Sequence, residues 1–168
     1  AYRIPILEVA GYEADDVIGT LATEAGRQGI ITYMMTPDKD YGQLVSDKVF
    51  MYRPKHTGGF EVMGVDEVKA KFDIQSPAQV IDMLGLMGDS SDNIPGCPGV
   101  GEKTAQKLIA EFGSIENLLE HTDQLKGALK TKVETNREMI TFSKFLATIK
   151  IDVPIQLDMD SLVREQAD

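Results

Sequence analysis

Hydrophobic residues in the first half of the chain form short continuous runs that alternate with helical stripes. Apolar runs rich in β-branched residues occupy residues 4–9, 30–36 and 49–52, which is typical of buried strands. The run at 30–36 is expected to be a central strand. Between the first two runs, apolar positions three and four residues apart predict a helix over 14–28. This alternation predicts an α/β fold with a mostly parallel sheet and flanking helices.

The second half of the chain has the helical period almost throughout. Before it, a turn rich in proline and glycine predicts that residues 60–63 pair back on 49–52 as a hairpin. Residues 149–155 are expected to add a strand, and the acidic tail from residue 158 is expected to fray. The helices are predicted at 41–44, 65–72, 77–87, 102–112, 115–119 and 130–147.

Length and composition restrict the class of protein. A chain of 168 residues with 42% apolar residues is long and apolar enough for one packed domain, or one domain with a small annex. A single cysteine, Cys97, excludes a disulfide framework, and we expect its thiol to serve packing rather than chemistry. No apolar run is long enough to span a membrane, so we expect a cytoplasmic protein with no membrane partner.

The net charge of −10 is unevenly distributed. Acidic residues dominate residues 1–100 and 151–168, whereas residues 101–150 are almost balanced. Three acidic groups each follow the predicted end of a strand or helix, and open α/β sheets place ligands at such ends. These groups are Glu13, Asp15 and Asp16, then Asp38 and Asp40, then Asp89 and Asp92.

Clustered carboxylates without histidine or cysteine neighbours favour hard divalent cations, Mg²⁺ or Mn²⁺, over zinc. Such ions relieve the repulsion between like charges. Any one of these acids, taken alone, is equally well explained as a solvated surface charge, and Asp15 and Asp16 also suit the start of a helix. The two histidines, His56 and His121, have no such context and are expected to be structurally neutral.

The stretch 94–105 predicts a glycine hairpin that opens a helix. Free backbone N–H groups and the helix dipole form a phosphate site there, and two glycines permit a positive φ and close approach. Since no side chain is placed to read bases, binding of a nucleic-acid backbone at this site should not depend on the base sequence. The residues expected to contact the DNA backbone are Gly99, Gly101, Lys103, Thr104 and Lys107.

These motifs, in this order, resemble the 5′-nuclease domain of the flap endonuclease family, as found in bacterial DNA polymerase I. The resemblance rests on residues 11–16, 36–40 and 88–96, and on residues 99–105, which resemble its helix–hairpin–helix. It implies a PIN-like nuclease core over 1–92, a helical helix–hairpin–helix subdomain over 93–150, and a return strand with an acidic tail over 151–168.

The resemblance implies a metal-dependent 5′→3′ exonuclease and 5′-flap endonuclease. It would act on flapped, nicked or primer-bearing duplex DNA in replication and repair, joined to polymerase domains in a longer chain. It implies two Mg²⁺ or Mn²⁺ ions in the complete domain and K⁺ bound by hairpin carbonyls. It assigns catalysis to Asp16, Asp38 and Asp40, and metal binding to Glu13, Asp15, Asp16, Asp38, Asp40, Asp89 and Asp92.

The family domain begins with a strand that carries a further ligand aspartate and with a basic arch, and this chain starts after both. We therefore expect a fragment that keeps much of the fold and some duplex affinity but cleaves weakly or not at all. A non-catalytic duplex-binding module, with solvated acids, is the main alternative. A small phosphatase-like or Ca²⁺-binding α/β domain is a third reading, which the hairpin disfavours.

Overall fold

In the computed structural model, which describes residues 2–168, a small sheet precedes a run of packed helices. No helix among these residues is long and apolar enough to cross a membrane. Strands β1 to β3 are Thr32–Met35, Val49–Pro54 and Phe60–Met63. Helices α1 to α7 are Ala14–Arg27, Val65–Phe72, Val80–Met87, Glu102–Phe112, Ile115–Glu120, Gly127–Thr135 and Arg137–Ala147. Four 3-10 turns lie at Lys39–Leu44, Pro77–Gln79, Thr122–Gln124 and Asp160–Leu162.

The sheet has the order β1-β2-β3, with β1 parallel to β2 and β2 antiparallel to β3. The predicted hairpin of β2 and β3 is confirmed. The expectation that the run at 30–36 is a central strand is wrong, because β1 lies at the edge of the sheet. Its side chains alternate, with Met34 buried and both Tyr33 and Met35 exposed, as expected for a strand covered on one face.

Two predicted strands are absent from the described residues. Residues 4–9 form no strand, and Ile4 and Ile6 are exposed, since the apolar run has no partner strand to pair with. Residues 149–155 also form no strand, because their backbone pairs with side chains of α1 instead. The hydroxyl of Thr20 accepts a hydrogen bond from the Val153 N–H at 3.1 Å. Both segments are apolar, as the sequence indicates, but a strand forms only where another strand is available to pair with its backbone.

The long helix predicted over 130–147 is divided into α6 and α7 at Asn136. The Asn136 side chain and its N–H both donate hydrogen bonds to the Lys132 carbonyl, at 2.8 and 3.1 Å. Asparagine is a weak former of helix interiors because its side chain bonds to nearby backbone groups, which is consistent with the break at this residue. The predicted helix over 77–87 likewise begins as a 3-10 turn before α3.

One continuous cluster of buried residues runs from Ala22 to Ala147 and has α3 at its centre. Helix α3 packs against α4, α5 and α7, and its Met83, Leu84 and Leu86 are fully buried. A buried carboxylate joins these helices, since Asp82 accepts hydrogen bonds from the Ile115 N–H at 2.9 Å and Lys144 Nζ at 2.6 Å. The sheet and the helices therefore share a core.

The segment after α3 is held by two glycines that pack backbone against backbone. Gly88 and Gly96 both have positive φ angles, +72° and +66°. A Cβ atom on Gly88 would lie 2.7 Å from the Ile94 carbonyl oxygen, and one on Gly96 would meet the Gly88 backbone. Between them, Asp89 and Ile94 exchange two backbone hydrogen bonds of 2.8 Å. Only glycine fits at this crossing.

This crossing gives a stability prediction. Gly96→Ala should lower the free energy of unfolding by about 3 kcal/mol, because left-handed backbone strain adds to overpacking. Gly101→Ala is the matched control, since Gly101 has an extended backbone and open space around its Cα, and it should cost no more than about 1 kcal/mol, the loss of a glycine N-cap. Denaturant unfolding measures both. Equal stability of the two variants would contradict the assigned role of the crossing.

Candidate metal centre and nucleic-acid interface

Six of the seven predicted metal-binding residues line one cavity of about 340 Å³. Its wall is completed by Ile94 and by the end of α7 with the residues that follow it, 146–149. The carboxylates include two groups of three. Within each group, the three residues offer oxygen atoms that lie within 4.8 Å of one another, close enough to share a metal ion. One group is Glu13, Asp15 and Asp16, and the other is Asp40, Asp89 and Asp92.

The first group lies at the start of α1, with Glu13 as its N-cap residue. The sequence placed these acids after a strand, but the helix N-terminus positions them, and its dipole favours their negative charge. The Asp16 carboxylate accepts a hydrogen bond from the Lys150 N–H at 2.9 Å. This contact orients one oxygen of Asp16 and ties the segment after α7 to the rim of the cavity.

Asp38, and Asp40 of the second group, follow the end of β1, as predicted from the sequence. The Thr36 hydroxyl accepts a hydrogen bond from the Asp38 N–H at 3.1 Å, and the Asp38 carboxylate accepts one from the Asp40 N–H at 2.9 Å. These two bonds set the start of the 3-10 turn Lys39–Leu44. The turn directs Asp38 and Asp40 into the cavity beside the first group.

Asp40 is the most buried of these acids, with 9% of its surface exposed. Its Oδ1 atom is buried and has no hydrogen-bond partner among the described residues, although Lys39 Nζ lies 3.6 Å away. Burial raises the pKa of Asp40 to about 7, and the neighbouring negative charge of Asp38 adds to the rise. A buried carboxylate oxygen without a hydrogen bond is energetically costly, and it is a ready ligand for a cation.

Asp89 and Asp92 lie in the turn between Gly88 and Gly96. Asp89 accepts hydrogen bonds from both the hydroxyl and the N–H of Ser91, at 2.5 and 3.0 Å, and forms an ion pair with Lys39. Burial alone would raise the pKa of Asp89, but the hydrogen bonds from Lys39 and Ser91 outweigh it and hold that pKa below its usual range. Asp92 is exposed and lines the acidic cavity, whereas Asp89 lines a larger adjoining cavity of about 700 Å³.

Sequence reasoning missed three contributors to this region. Lys39, read only as part of an acidic turn, brings a positive charge between Asp40 and Asp89. Residues 146–149 close the cavity from a distant part of the chain, which no local motif indicates. Lys132 lies against the hairpin, since a Cβ on Gly99 would be 2.9 Å from its Nζ atom.

The hairpin joins the end of α3 to the start of α4, and its predicted contact residues lie together on the surface. Gly99 has a positive φ, +81°, which the sequence indicated that a glycine would permit, whereas Gly101 is an extended N-cap residue. Lys103 and Lys107 are exposed on α4, and Thr104 is half-buried. Cys97 is buried beneath the hairpin, which confirms its predicted packing role.

The electrostatic pattern around these two features is asymmetric. Exposed lysines flank the hairpin, while the described lining of the acidic cavity includes six carboxylates and no lysine, and Lys39 lines the larger adjoining cavity. Helices α6 and α7 link the two features. Lys132 of α6 lies next to Gly99, the Ser143 hydroxyl of α7 accepts a hydrogen bond from the Gly96 N–H at 2.9 Å, and Ala147 of α7 lines the cavity.

Structural comparison finds the same fold in two nucleases. The T5 5′-exonuclease with bound divalent zinc ions superimposes with a TM-score of 0.76 over 85% of this chain and 52% of its own, at 23% identity. The catalytic core of Rad2 in complex with DNA substrate gives 0.61 over 99% of this chain and 57% of its own, at 18% identity. These matches confirm the predicted α/β nuclease fold with its C-terminal helical part.

Sequence comparison gives relatives that are far longer. DNA polymerase I of Bacillus subtilis (strain 168) is 47% identical over 164 residues, which is 96% of this chain and 18% of that protein. DNA polymerase I of Bacillus caldotenax is 44% identical over 170 residues, 100% of this chain and 19% of that protein. The chain therefore spans less than a fifth of the length of these relatives.

Two family models divide the chain between them. Residues 1–73 match the N-terminal resolvase-like domain of 5′-3′ exonucleases, and residues 75–168 match their C-terminal SAM fold. Both matches agree with the order of motifs along the chain and with the acidic cavity beside the hairpin. The chain belongs to the 5′-3′ exonuclease family.

Proposed function

We propose that this chain forms part of a divalent-metal-dependent 5′→3′ exonuclease and 5′-flap endonuclease within a bacterial DNA polymerase I. The observation that carries the proposal is the acidic cavity with a buried oxygen of Asp40 that has no hydrogen bond, held next to a hairpin suited to DNA phosphates. The polymerase domains of the longer chain would be its partners, and the bacterial cytoplasm, where the chromosome lies, would be its location.

The donor set suits Mg²⁺ or Mn²⁺, because it consists of carboxylate oxygens with no histidine or thiol among the clustered groups. The two clusters of three carboxylates lie in one region, which favours two ions in the complete domain. In this proposal the ligands are Glu13, Asp15, Asp16, Asp38, Asp40, Asp89 and Asp92. The Oδ1 of Asp40 supports the fit, since it is buried without a hydrogen bond and its ion-pair partner, Lys39 Nζ, is as far away as 3.6 Å.

Bound divalent ions would activate water and stabilise the charge that develops on a scissile phosphate. The residues of this chain do the positioning. The hydrogen bond from the Lys150 N–H holds one oxygen of Asp16, and the Asp40 N–H holds one oxygen of Asp38. Burial in the cavity wall keeps Asp40 away from bulk water. We propose these three acids, Asp16, Asp38 and Asp40, as the group closest to the reaction.

The hairpin is proposed to bind duplex DNA through its phosphates. The backbone around Gly99 and Gly101, the first turn of α4 with Thr104, and the exposed Lys103 and Lys107 offer donors and positive charge to a phosphate. None of these groups reads base edges, so we propose binding that is independent of sequence. K⁺ held by hairpin carbonyls is part of the same proposal.

The second candidate function is a duplex-binding module without catalysis. The ion pair between Lys39 and Asp89 favours it, because this lysine neutralises part of the acidic cluster without a metal. In that case the cavity would keep Lys39 as its permanent cation and would bind divalent ions weakly. Metal titration separates the two functions.

The first prediction concerns metal affinity. The double variant Asp89→Ala, Asp92→Ala should weaken Mn²⁺ binding about tenfold or more, because it removes two oxygen ligands from one cluster. The matched control is Asp158→Ala, Asp160→Ala in the exposed acidic tail, which should bind Mn²⁺ as the unmodified chain does. Isothermal titration calorimetry measures both. Unchanged affinity in the first variant would rule out the proposed metal site.

The second prediction concerns the protonation of Asp40. Its folded-state pKa of about 7 lies above the unfolded value near 4, so the folded protein holds this proton more tightly. The resulting stabilisation is complete below about pH 4 and is lost as the pH rises towards 7. Without metal, the unmodified chain should therefore lose stability relative to Asp40→Asn over this range. Denaturant unfolding at several pH values measures the difference, and parallel curves would contradict the assignment.

The third prediction concerns duplex binding. Lys103→Ala and Lys107→Ala should each weaken binding to duplexes of any sequence and reduce the salt-dependence slope by about one unit. Lys55→Ala, in the exposed turn between β2 and β3, removes the same charge away from the hairpin and should leave the slope unchanged. Fluorescence anisotropy over a salt series measures the slopes. An equal effect of all three variants would indicate general charge attraction rather than a hairpin site.

A further inference from the structure

The segment 147–153 begins in the wall of the acidic cavity and, beyond Ala147, belongs to no helix or strand. Ala147, Ile149 and Val153 are buried, so part of its backbone is shielded from water. Buried N–H and C=O groups need hydrogen-bond partners, and a segment outside helices and sheets must find them elsewhere. Side chains from two other parts of the chain supply them here.

Gln43 binds the start of this segment through both ends of its amide. Its Nε2 atom donates a hydrogen bond to the Ala147 carbonyl, and its Oε1 atom accepts one from the Ile149 N–H, each 2.8 Å long. A glutamine amide offers the same donor and acceptor as a peptide group, so it can hold two backbone groups of an extended segment at once. One side chain thus fixes a part of the chain more than 100 residues away.

Helix α1 binds the other end of the segment. The Thr20 hydroxyl accepts the hydrogen bond from the Val153 N–H. Gly19 allows a close approach, since a Cβ atom there would lie only 2.6 Å from Cγ2 of Ile149. Gln43 and Thr20 therefore hold the backbone on both sides of Lys150.

Lys150 is the residue through which this segment acts on the acidic site. Its N–H donates to Oδ1 of Asp16 at 2.9 Å, which occupies one carboxylate oxygen and leaves the other for a cation. The Lys150 side chain is exposed and pairs with Asp152. The position of the Lys150 N–H is therefore set by the bonds to the neighbouring backbone, of which Gln43 makes the nearest.

We propose that Gln43 is a positioning residue of the metal centre, which holds residues 147–150 so that the Lys150 N–H orients Asp16 as a ligand. This inference rests on the proposed function. Gln43 lies in the same 3-10 turn as Asp40, Lys39–Leu44, so a single turn would set the ligands of both carboxylate clusters. Hydrogen-bonded partners of ligating groups typically contribute 10- to 100-fold to metal affinity.

Gln43→Met tests this role, because methionine keeps the length and apolar stem of glutamine but has no amide. In ¹H–¹⁵N spectra of the metal-free chain, the Lys150 amide proton signal should move upfield, since its bond to the Asp16 carboxylate weakens. Asp16→Ala, which removes the acceptor itself, should move the same signal in the same direction. In isothermal titration calorimetry, Gln43→Met should bind Mn²⁺ about tenfold more weakly.

Gln79→Met is the matched control. Gln79 is also half-buried, and its amide donates to the Gly113 carbonyl at 2.9 Å and accepts from the Gln75 N–H at 2.8 Å. None of these three residues belongs to the described lining of the acidic cavity. Both glutamine variants should lower the midpoint of denaturant unfolding, because each leaves backbone groups unpaired. Gln79→Met should nevertheless leave the Lys150 signal and the Mn²⁺ affinity unchanged.

The outcomes separate this role from a general structural effect. An unmoved Lys150 signal or an unchanged Mn²⁺ affinity in Gln43→Met would overturn the inference while leaving the metal centre intact. Equal weakening of Mn²⁺ binding in both glutamine variants would indicate a general loss of stability and would also overturn it. If the unmodified chain binds no Mn²⁺, the proposed metal centre fails, and the inference fails with it.

Discussion

The close contact between Gly88 and Gly96 is the constraint on which the candidate site depends. It lets the chain leave α3, place Asp92 in the acidic cavity and Asp89 beside it, and return to the hairpin within eight residues. A hydrogen bond from the Cys97 N–H to the Leu86 carbonyl, 2.7 Å long, fixes the return to the end of α3. Any side chain at either glycine would separate these backbones, and the acidic turn and the hairpin would then move independently.

In the acidic cavity, by contrast, the local interactions are unfavourable, because like charges lie close together. The surrounding fold holds the carboxylates in place. Carboxylates from three distant segments are brought together, and burial leaves Asp40 with a raised pKa and an oxygen without a hydrogen bond. Lys39 relieves part of the repulsion through its pair with Asp89. A shared hydrophobic core centred on α3 supplies the stability that holds this arrangement. Such local strain is characteristic of sites that bind a cation.

Much of this could be predicted because it depends on short-range patterns. Helical spacing gave α1 and α4 within a residue or two, and the acidic and glycine motifs identified the residues around the cavity and hairpin. The errors involve long-range pairing. Residues 4–9 and 149–155 have the composition of strands, but the second pairs with α1 instead, and no periodicity reveals that. For the same reason, the approach of Lys39 to Asp89 and of Leu146 to the acids could not be predicted.

The central claim is that carboxylates from three segments form one divalent-metal site next to the hairpin. Paramagnetic broadening by Mn²⁺ in the NMR spectrum of the ¹⁵N-labelled chain tests it most directly. At substoichiometric Mn²⁺, amide signals of residues 13–16, 38–40, 89–92 and 148–150 should broaden first and together, while those of the tail 158–168 stay sharp. Broadening that begins in the acidic tail, or in only one of the three segments, would contradict the claim.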